Sequence, residues 1–185
     1  NGAKTYPLAS LPVIAGLAMG PAVAVGLARF SYALLLPNMK IDLHWTYAEA
    51  GLNNTANAAG YLFGAMAAAF ISARIGEKRA FMFGMLLTVV ALFGSALTEN
   101  YLALALLRAV AGAAGALPFI VGSALAAAAG RDGGAVSPEM ALGIYFGGGG
   151  FGMFIAAVVI PAVVVVGDWR AGWIAMGILG LFGIG

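Results

Sequence analysis

Long apolar stretches alternate with short polar segments along the whole of this 185-residue chain. There are six such stretches, and apolar runs of about 18 or more residues are candidates for membrane-spanning helices. Strands are not expected, because the runs are continuous, whereas the strands of membrane barrels alternate in hydrophobicity. We therefore predict an all-α membrane protein, a single bundle of six transmembrane helices. The predicted helices cover approximately residues 11–36, 47–73, 80–97, 101–129, 139–166 and 170–185.

The composition agrees with the lipid bilayer as the main partner of the chain. Hydrophobic residues make up 63% of the sequence and charged residues only 9%, whereas soluble domains carry roughly 25% charged residues. A net charge of +2 is too small to suggest nucleic acid as a partner. The absence of cysteine excludes disulfides and thiolate chemistry, and a single histidine, His44, is too few for a histidine metal cluster. We predict neither a metal nor any other cofactor.

An intramembrane enzyme is the alternative from a different functional class, and it requires a nucleophile and a base within the membrane. Ser31 and Ser123 lie in the apolar stretches, but no histidine accompanies them there, and the chain has no pair of intramembrane aspartates. We therefore predict that the protein is not an enzyme.

Basic residues in the predicted loops are distributed unevenly between the two sides of the membrane. The side opposite the N-terminus holds Lys40 and Arg170, whereas the side of the N-terminus holds Lys4, Arg74, Lys78, Arg79 and Arg131. Because lysine and arginine are enriched in cytoplasmic loops, we predict a cytoplasmic N-terminus. The chain does not begin with methionine and stops within an apolar run, so we expect that both ends have been cut.

Two arginines, Arg29 and Arg108, interrupt the apolar stretches. With helix ends at Pro37 and Tyr101, each is expected to lie roughly 10–12 Å below the outer surface at about 1.5 Å per residue. An arginine at the centre of a membrane helix costs at least ~2.5–3.5 kcal/mol, so each should face a water-filled cavity or a partner. Glu49 is the nearest carboxylate, and it cannot neutralise two guanidinium groups. Because a free guanidinium binds carboxylates, phosphates or sulfonates, we predict a small organic substrate and favour an anion.

Other polar residues are predicted to share this layer in the outer half of the bundle. Tyr32 lies three residues after Arg29, and Asn53 and Asn57 are four residues apart, so helical periodicity places each pair on one face. The predicted substrate cavity consists of Arg29, Tyr32, Asn53, Asn57 and Arg108, with Glu49 above them. Two structural alternatives stay open: Arg29 extends outward to the membrane surface, and Arg108 pairs with Glu49 or with helix carbonyl groups.

Glycine is abundant, at 28 residues, and several glycines are four residues apart. Small residues at this spacing allow the backbones of membrane helices to approach closely. We predict such helix packing at Gly112, Gly115, Gly143 and Gly147. The run from Gly147 to Gly150 has two interpretations, tight packing against a neighbouring helix or a segment that moves during transport.

The segment between the second and third predicted helices resembles a loop motif of the major facilitator superfamily, a family of membrane transporters. Ala73 replaces the aspartate of that motif, whereas four positions match it: Arg74, Gly76, Lys78 and Arg79. We expect this basic segment to gate the cytoplasmic side by contact with helix ends or with anionic lipid.

Two glycine motifs add to the same resemblance. In the fourth predicted helix, Arg108 and Gly112 resemble the R-x-x-x-G motif of the superfamily. In the fifth predicted helix, Gly143, Gly147 and Gly152 resemble a glycine-rich motif of the superfamily. The resemblance thus extends over most of the chain.

The most specific resemblance is to the YbfB-type subgroup of bacterial transporters, and residues 26–37 and 50–61 carry it. It implies the N-terminal half of the superfamily fold and a secondary transporter of the inner membrane that works by alternating access. It also implies a cavity surrounded by the first, second, fourth and fifth helices. Because such transporters bind substrate between two six-helix bundles, we expect a C-terminal bundle that is absent from these residues. The alternatives are a homodimer, in which a second copy supplies the other half, and a truncated fragment without transport activity.

Overall fold

The computed structural model describes residues 11–131 and 136–184, and these residues form six helices without any strand. They are α1 (Leu11–Asp42), α2 (Tyr47–Ile75), α3 (Glu77–Ala96), α4 (Tyr101–Arg131), α5 (Pro138–Val166) and α6 (Trp169–Phe182). The first five are long and apolar enough to cross a membrane, and α6 is a shorter apolar helix. The predicted all-α membrane bundle is therefore confirmed.

Helix α1 contains a π-helical segment, Ala22–Phe30, between two α-helical ones. Pro21 precedes this segment, and a proline removes a backbone donor and crowds the carbonyl group four residues earlier. Within the wider turns, Ser31 Oγ donates a hydrogen bond to the carbonyl oxygen of Gly26, five residues earlier, at 3.3 Å. Because a π-helix places fewer turns in the same number of residues, the side chains that follow point in directions that a regular α-helix does not give.

The first helix is longer than predicted, because it continues through Pro37 to Asp42. Membrane helices tolerate proline where neighbouring helices and local adjustments compensate for the missing backbone hydrogen bond. The added turn is held at its end by Trp169, whose indole Nε1 donates a hydrogen bond to Asp42 Oδ2 at 2.7 Å. The predicted loop from residue 38 is therefore helical in its first half.

The predicted basic loop between the second and third helices is also corrected. Only Gly76 separates α2 from α3, with a positive φ of 89° that favours glycine. Arg74 lies in the last turn of α2, and Lys78 and Arg79 lie in the first turn of α3. The four motif residues thus form a tight helix–helix corner instead of an extended loop.

Helix α4 lies at the centre of the bundle, where it contacts α1, α2, α3 and α5. Helix α1 packs along α5, and α6 packs mainly against α3. The main core lies between α1, α3 and α6 and includes the large buried side chains Tyr32, Leu35, Met85, Leu92, Trp169 and Trp173. In their most apolar segments, only 17% of the residues of α2 and 22% of those of α5 are buried, compared with 56% in α1, α3 and α4. Most of the surface of α2 and of α5 is therefore not covered by the described residues.

Close backbone contacts hold α2 against α4 at glycines. A Cβ atom added at Gly112 would lie 2.0 Å from the carbonyl oxygen of Asn57, and one added at Gly60 would lie 2.0 Å from that of Ala109. Gly115 faces α1 instead of α2, since a Cβ atom added there would lie 3.2 Å from Ala24 Cβ, which is a looser contact than those of Gly60 and Gly112 with α2. Small residues therefore let α2 and α4 touch along their backbones, as is typical of membrane helices.

The contact between α1 and α5 does not involve Gly143 or Gly147, so the predicted packing at these two glycines stays a prediction. Neither glycine has an atom of this chain's described residues within 4 Å of an added Cβ. The contacts are made by Gly148 and Gly152, since a Cβ atom added at Gly148 would lie 2.0 Å from the carbonyl oxygen of Ala18. Adjacent helical residues point about 100° apart, so Gly147 and Gly148 belong to different faces.

Candidate functional site

Arg108, the predicted partner of an anion, lies buried between α1, α4 and α6. Its side chain is only 1% exposed, and Nη1 donates a hydrogen bond to the carbonyl oxygen of Ala28 at 2.8 Å. The guanidinium carbon lies 4.8 Å from the ring centroid of Tyr32 and 5.3 Å from that of Trp173. Ring faces attract a desolvated cation, so the two aromatic residues stabilise the buried charge. Of the alternatives drawn from the sequence, the structure has Arg108 bound to a helix carbonyl.

The buried guanidinium still has donors to spare. Nε and Nη2 of Arg108 have no hydrogen-bond partner among the described residues, and neither do the buried Asn53 Oδ1 and Trp173 Nε1. Buried polar groups are usually satisfied by protein or by ordered water. Bound water is therefore expected beside Arg108.

Three more of the predicted cavity residues donate hydrogen bonds to helix carbonyl groups, two of them to a neighbouring helix and one within its own helix. Asn57 Nδ2 donates to the carbonyl oxygen of Arg108 at 2.9 Å, and Tyr32 Oη donates to that of Ala50 at 2.8 Å. Asn53 is fully buried, and its Nδ2 donates to the carbonyl oxygen of Glu49 at 3.5 Å. The structure thus places Tyr32, Asn53 and Asn57 between helices, with Arg108.

Glu49 does not pair with either arginine of the apolar stretches. Its Oε2 accepts hydrogen bonds from the backbone nitrogen and the hydroxyl group of Thr46, both at 2.8 Å, and its own backbone nitrogen donates to Thr46 Oγ1 at 3.2 Å. This is a capping box, which satisfies free backbone donors at the start of α2. The carboxylate of Glu49 therefore caps the start of α2.

Arg29, in contrast, is exposed on the surface shared by α1, α2, α4 and α5. It makes no hydrogen bond or ion pair with any residue that the structure describes, and its guanidinium carbon lies 5.9 Å from the ring centroid of Tyr61 on α2. Because α1 continues to Asp42, Arg29 lies about 20 Å from the end of its helix, farther than the roughly 10–12 Å expected with a helix end at Pro37. Tyr32 does not share its face, since Tyr32 is 2% exposed and the π-helical turns separate the two directions.

A row of aromatic rings that the sequence did not reveal extends from Arg29 across three helices. The ring centroids of Tyr61 on α2 and Phe119 on α4 are 6.1 Å apart, and those of Phe119 and Phe146 on α5 are 5.4 Å apart. Tyr145 supports Phe146 from behind at 5.1 Å and donates a hydrogen bond to the carbonyl oxygen of Phe119 at 3.1 Å. No spacing rule could have found this row, because each helix contributes a single ring at an unrelated position. We call Tyr61, Phe119 and Phe146 the aromatic row.

The predicted gating residues lie at the opposite end of the bundle from Glu49. The guanidinium carbon of Arg74 lies 4.2 Å from the ring centroid of Phe70, and Arg74, Lys78 and Arg79 are all exposed. Lys78 also borders an apolar groove of about 510 Å³ between α1, α3, α4 and α6. The structure therefore brings these cations together at one corner, apart from Arg29.

A third arginine, Arg170, is surrounded by carboxylates at the end of the bundle where α6 begins. Its guanidinium pairs with Asp42 at 3.4 Å, with Asp168 at 2.8 Å and with Glu99. Slight burial of Asp168 opposes ionisation, but hydrogen bonds from Ala171 and Arg170 prevail and lower the pKa of its carboxyl group. This cluster joins α1, the turn before α4 and the start of α6.

Comparison with known proteins gives one family. The family model described as "Uncharacterised MFS-type transporter YbfB" matches residues 21–184, which include nearly all of the six helices. No curated protein matches the chain. The matched family agrees with the resemblance seen in the sequence, and it is a family of transporters.

Proposed function

The chain belongs to the YbfB-type family of major facilitator transporters, and we propose that it moves a small organic anion across the bacterial inner membrane by alternating access. It is a multi-pass membrane protein of a transporter family. The observation that carries the anion proposal is the exposed guanidinium of Arg29, which lies near the middle of the length of α1 and has no carboxylate partner among the described residues.

Arg29 is favoured over Arg108 as the group that binds the anion. Every carboxylate that pairs with an arginine in the described residues pairs with Arg170, and Glu49 is engaged at its helix end. A charged residue within a membrane helix is expensive unless it faces water or a partner. An exposed guanidinium offers several donors in a planar fork, which suits a carboxylate, phosphate or sulfonate.

We propose a supporting role for the buried polar residues. Arg108 donates to the carbonyl oxygen of Ala28, which is the neighbour of Arg29 in the π-helical segment. Asn57 binds the backbone of Arg108 from α2. Together these bonds would hold the part of α1 that carries Arg29 in a fixed position against α2 and α4.

A complete cavity requires a second bundle against the free surfaces of α2 and α5. We propose that this bundle is either a C-terminal half of the same transporter or, in a homodimer, a second copy of this chain. The support is the low burial of α2 and α5 and the open positions of Gly143 and Gly147, where another helix could approach closely. We further propose that Arg74, Gly76, Lys78 and Arg79 form the cytoplasmic gate.

The proposed function is tested by uptake into proteoliposomes containing the natural full-length product of this gene. The assay compares organic carboxylates, sulfonates and phosphates with organic cations. We expect uptake of at least one anion, lost in Arg29→Gln and retained in Lys40→Gln, which removes a cation from the last turn of α1. Uptake of cations alone, or equal uptake by both variants, would refute the anion proposal.

A further inference from the structure

We infer that the transported anion carries a flat aromatic ring, which binds along the aromatic row while its acidic group pairs with Arg29. This inference rests on the proposed function, since it concerns the same face of the bundle. It adds a substrate class, aromatic carboxylates and their close analogues, that the charge of Arg29 alone does not specify.

The first step of the argument is the continuity of the surface. Arg29 lies 5.9 Å from the ring centroid of Tyr61, and the next rings follow at 6.1 Å and 5.4 Å. The two ring–ring distances lie within the range of about 4.5–7 Å that is typical of interacting aromatic pairs, and the distance from Arg29 lies within the limit of about 6 Å for a cation–ring contact. A small aromatic acid could therefore contact the guanidinium and at least one ring at once.

The second step is that the row presents ring surface outward. Phe146 is 45% exposed, and Tyr61 and Phe119 are partly exposed. Their mutual arrangement is edge-to-face or tilted, with interplanar angles of 71° for Tyr61–Phe119 and 52° for Phe119–Phe146. Such an arrangement leaves ring edges and faces that a further ring can approach in the preferred offset or edge-on geometry.

The third step is that the row is built on a fixed support. Tyr145 is fully buried, and its one hydroxyl hydrogen is shared between the carbonyl oxygens of Pro118 and Phe119, which ties α5 to α4 beneath the row. Its ring contacts that of Phe146 at 5.1 Å. A preorganised surface of this kind loses little side-chain entropy when a ligand binds.

The charge of Arg29 and the rings of the aromatic row together limit the chemical class of the ligand. A positively charged aromatic compound would approach the guanidinium of Arg29 with like charge, and no acidic residue contacts Arg29 in the described part of the chain. A saturated ring of the same size carries no quadrupole and gains only from apolar burial. An aromatic anion is the class that uses both features of the surface.

The test compares matched acids for binding to the natural full-length protein in detergent. The pairs are benzoate with cyclohexanecarboxylate and 2-naphthoate with decahydro-2-naphthoate, and benzamide is the uncharged ring. If burial of apolar surface were the only contribution of the ring, the saturated acid would bind as tightly as the aromatic acid or more tightly, because the saturated ring is at least as hydrophobic as the aromatic ring. We expect the aromatic acid to bind roughly three- to ten-fold more tightly than its saturated counterpart.

Variants test separately the binding of the ring to the aromatic row and the binding of the acidic group to Arg29. Phe146→Leu is expected to remove most of the aromatic preference, whereas Phe63→Leu, which replaces an exposed ring elsewhere on α2, is expected to leave it unchanged. Phe146 is half exposed, so its replacement by leucine should leave the fold intact, which the thermal midpoint checks. Arg29→Gln is expected to weaken the binding of aromatic and saturated acids alike.

The outcomes are distinguishable. Equal affinity for aromatic and saturated acids, both lost in Arg29→Gln, would overturn the aromatic inference and leave the anion proposal standing. Binding of benzamide as tight as that of benzoate would refute the anion proposal itself. Failure of every aromatic acid to bind at millimolar concentration, or an unchanged preference in Phe146→Leu, would also overturn the aromatic inference.

Discussion

Arg29 and Arg108 have the same sequence signal and opposite surroundings. Each is a lone arginine in an apolar stretch, yet Arg108 is enclosed by α1, α4 and α6, and Arg29 is exposed on the face formed by α1, α2, α4 and α5. The buried region has a carbonyl group and two rings to hold its cation, and the exposed region has one distant ring. The difference shows that a charged residue within a membrane helix can either stabilise the helix bundle or bind a ligand. Only the residues around it distinguish these two roles.

The largest expected effect is on the buried side. Arg108→Gln should lower the free energy of unfolding by about 3 kcal/mol, because it removes a charge-assisted hydrogen bond and leaves a cavity between the rings. The exposed Arg29→Gln should change it by less than about 0.5 kcal/mol. Thermal unfolding in detergent micelles measures both. A loss of stability in Arg29→Gln equal to that in Arg108→Gln would show that the two arginines are alike after all.

The same contrast applies to two adjacent glycines of α5. Gly148→Ala should destabilise the bundle by about 2 kcal/mol, because the new methyl group meets the carbonyl oxygen of Ala18 at 2.0 Å and forces α1 and α5 apart. Gly147→Ala meets no described atom within 4 Å, so it should be neutral or stabilise the helix by up to about 1 kcal/mol.

These two glycine variants also test the proposed second bundle. If another bundle packs on this part of α5, Gly147→Ala should reduce uptake by the natural full-length protein while its thermal stability is kept. Equal destabilisation by both substitutions would contradict the assignment of Gly147 to the free face.

A smaller effect is expected from the asparagines of α2. Asn57→Leu should lower stability by about 1 kcal/mol, because it removes the hydrogen bond to the carbonyl oxygen of Arg108. Asn54 is exposed and serves as the matched control, since Asn54→Leu makes the same replacement at a position of α2 that is not buried against α4. Thermal unfolding distinguishes them, and equal midpoints for the two variants would argue against a bracing role of Asn57.

The existence and order of the helices followed from hydropathy, but two of their ends did not. Pro37 was expected to end the first helix, yet the contacts of Asp42 with Trp169 and Arg170 stabilise a further turn. The basic segment was expected to be a loop, yet the positive φ of Gly76 turns the chain within one residue. Both outcomes depend on tertiary contacts or on backbone geometry, which an apolar pattern does not contain.

The candidate site could be predicted only in part, for a similar reason. Intramembrane arginines are visible in the sequence, but the assumption of regular helical turns placed Tyr32 beside Arg29, and the π-helical segment separates them. Asn57 faces α4 because Gly112 lets the two backbones touch, a contact between residues 55 positions apart. The aromatic row has one ring from each of three helices, so no local pattern in the sequence predicts it.

A third arginine, Arg170, extends the comparison of Arg29 with Arg108. The effect expected from it, on the pH dependence of stability, is the smallest of those considered. Arg170 is the cation with ample carboxylates, and the pKa of Asp168 is below its usual 3.8 in the folded protein because hydrogen bonds from Ala171 and Arg170 outweigh its slight burial. A lowered folded pKa gives stability that is present above pH ~4 and is lost as the pH falls through that pKa. The gain is small, because the pair is largely exposed and screened.

We therefore expect the thermal midpoint of the protein to fall slightly between about pH 5 and about pH 3, and to fall less in Asp168→Asn. Asparagine still accepts the capping hydrogen bonds at the start of α6, so the variant removes the charge and keeps the cap. Asp42 and Glu99 also face Arg170 and stay in place in the variant, so part of the acid response should persist. An identical fall in both proteins would mean that Arg170 gains nothing from Asp168, and that carboxylate neighbours alone do not distinguish it from Arg29.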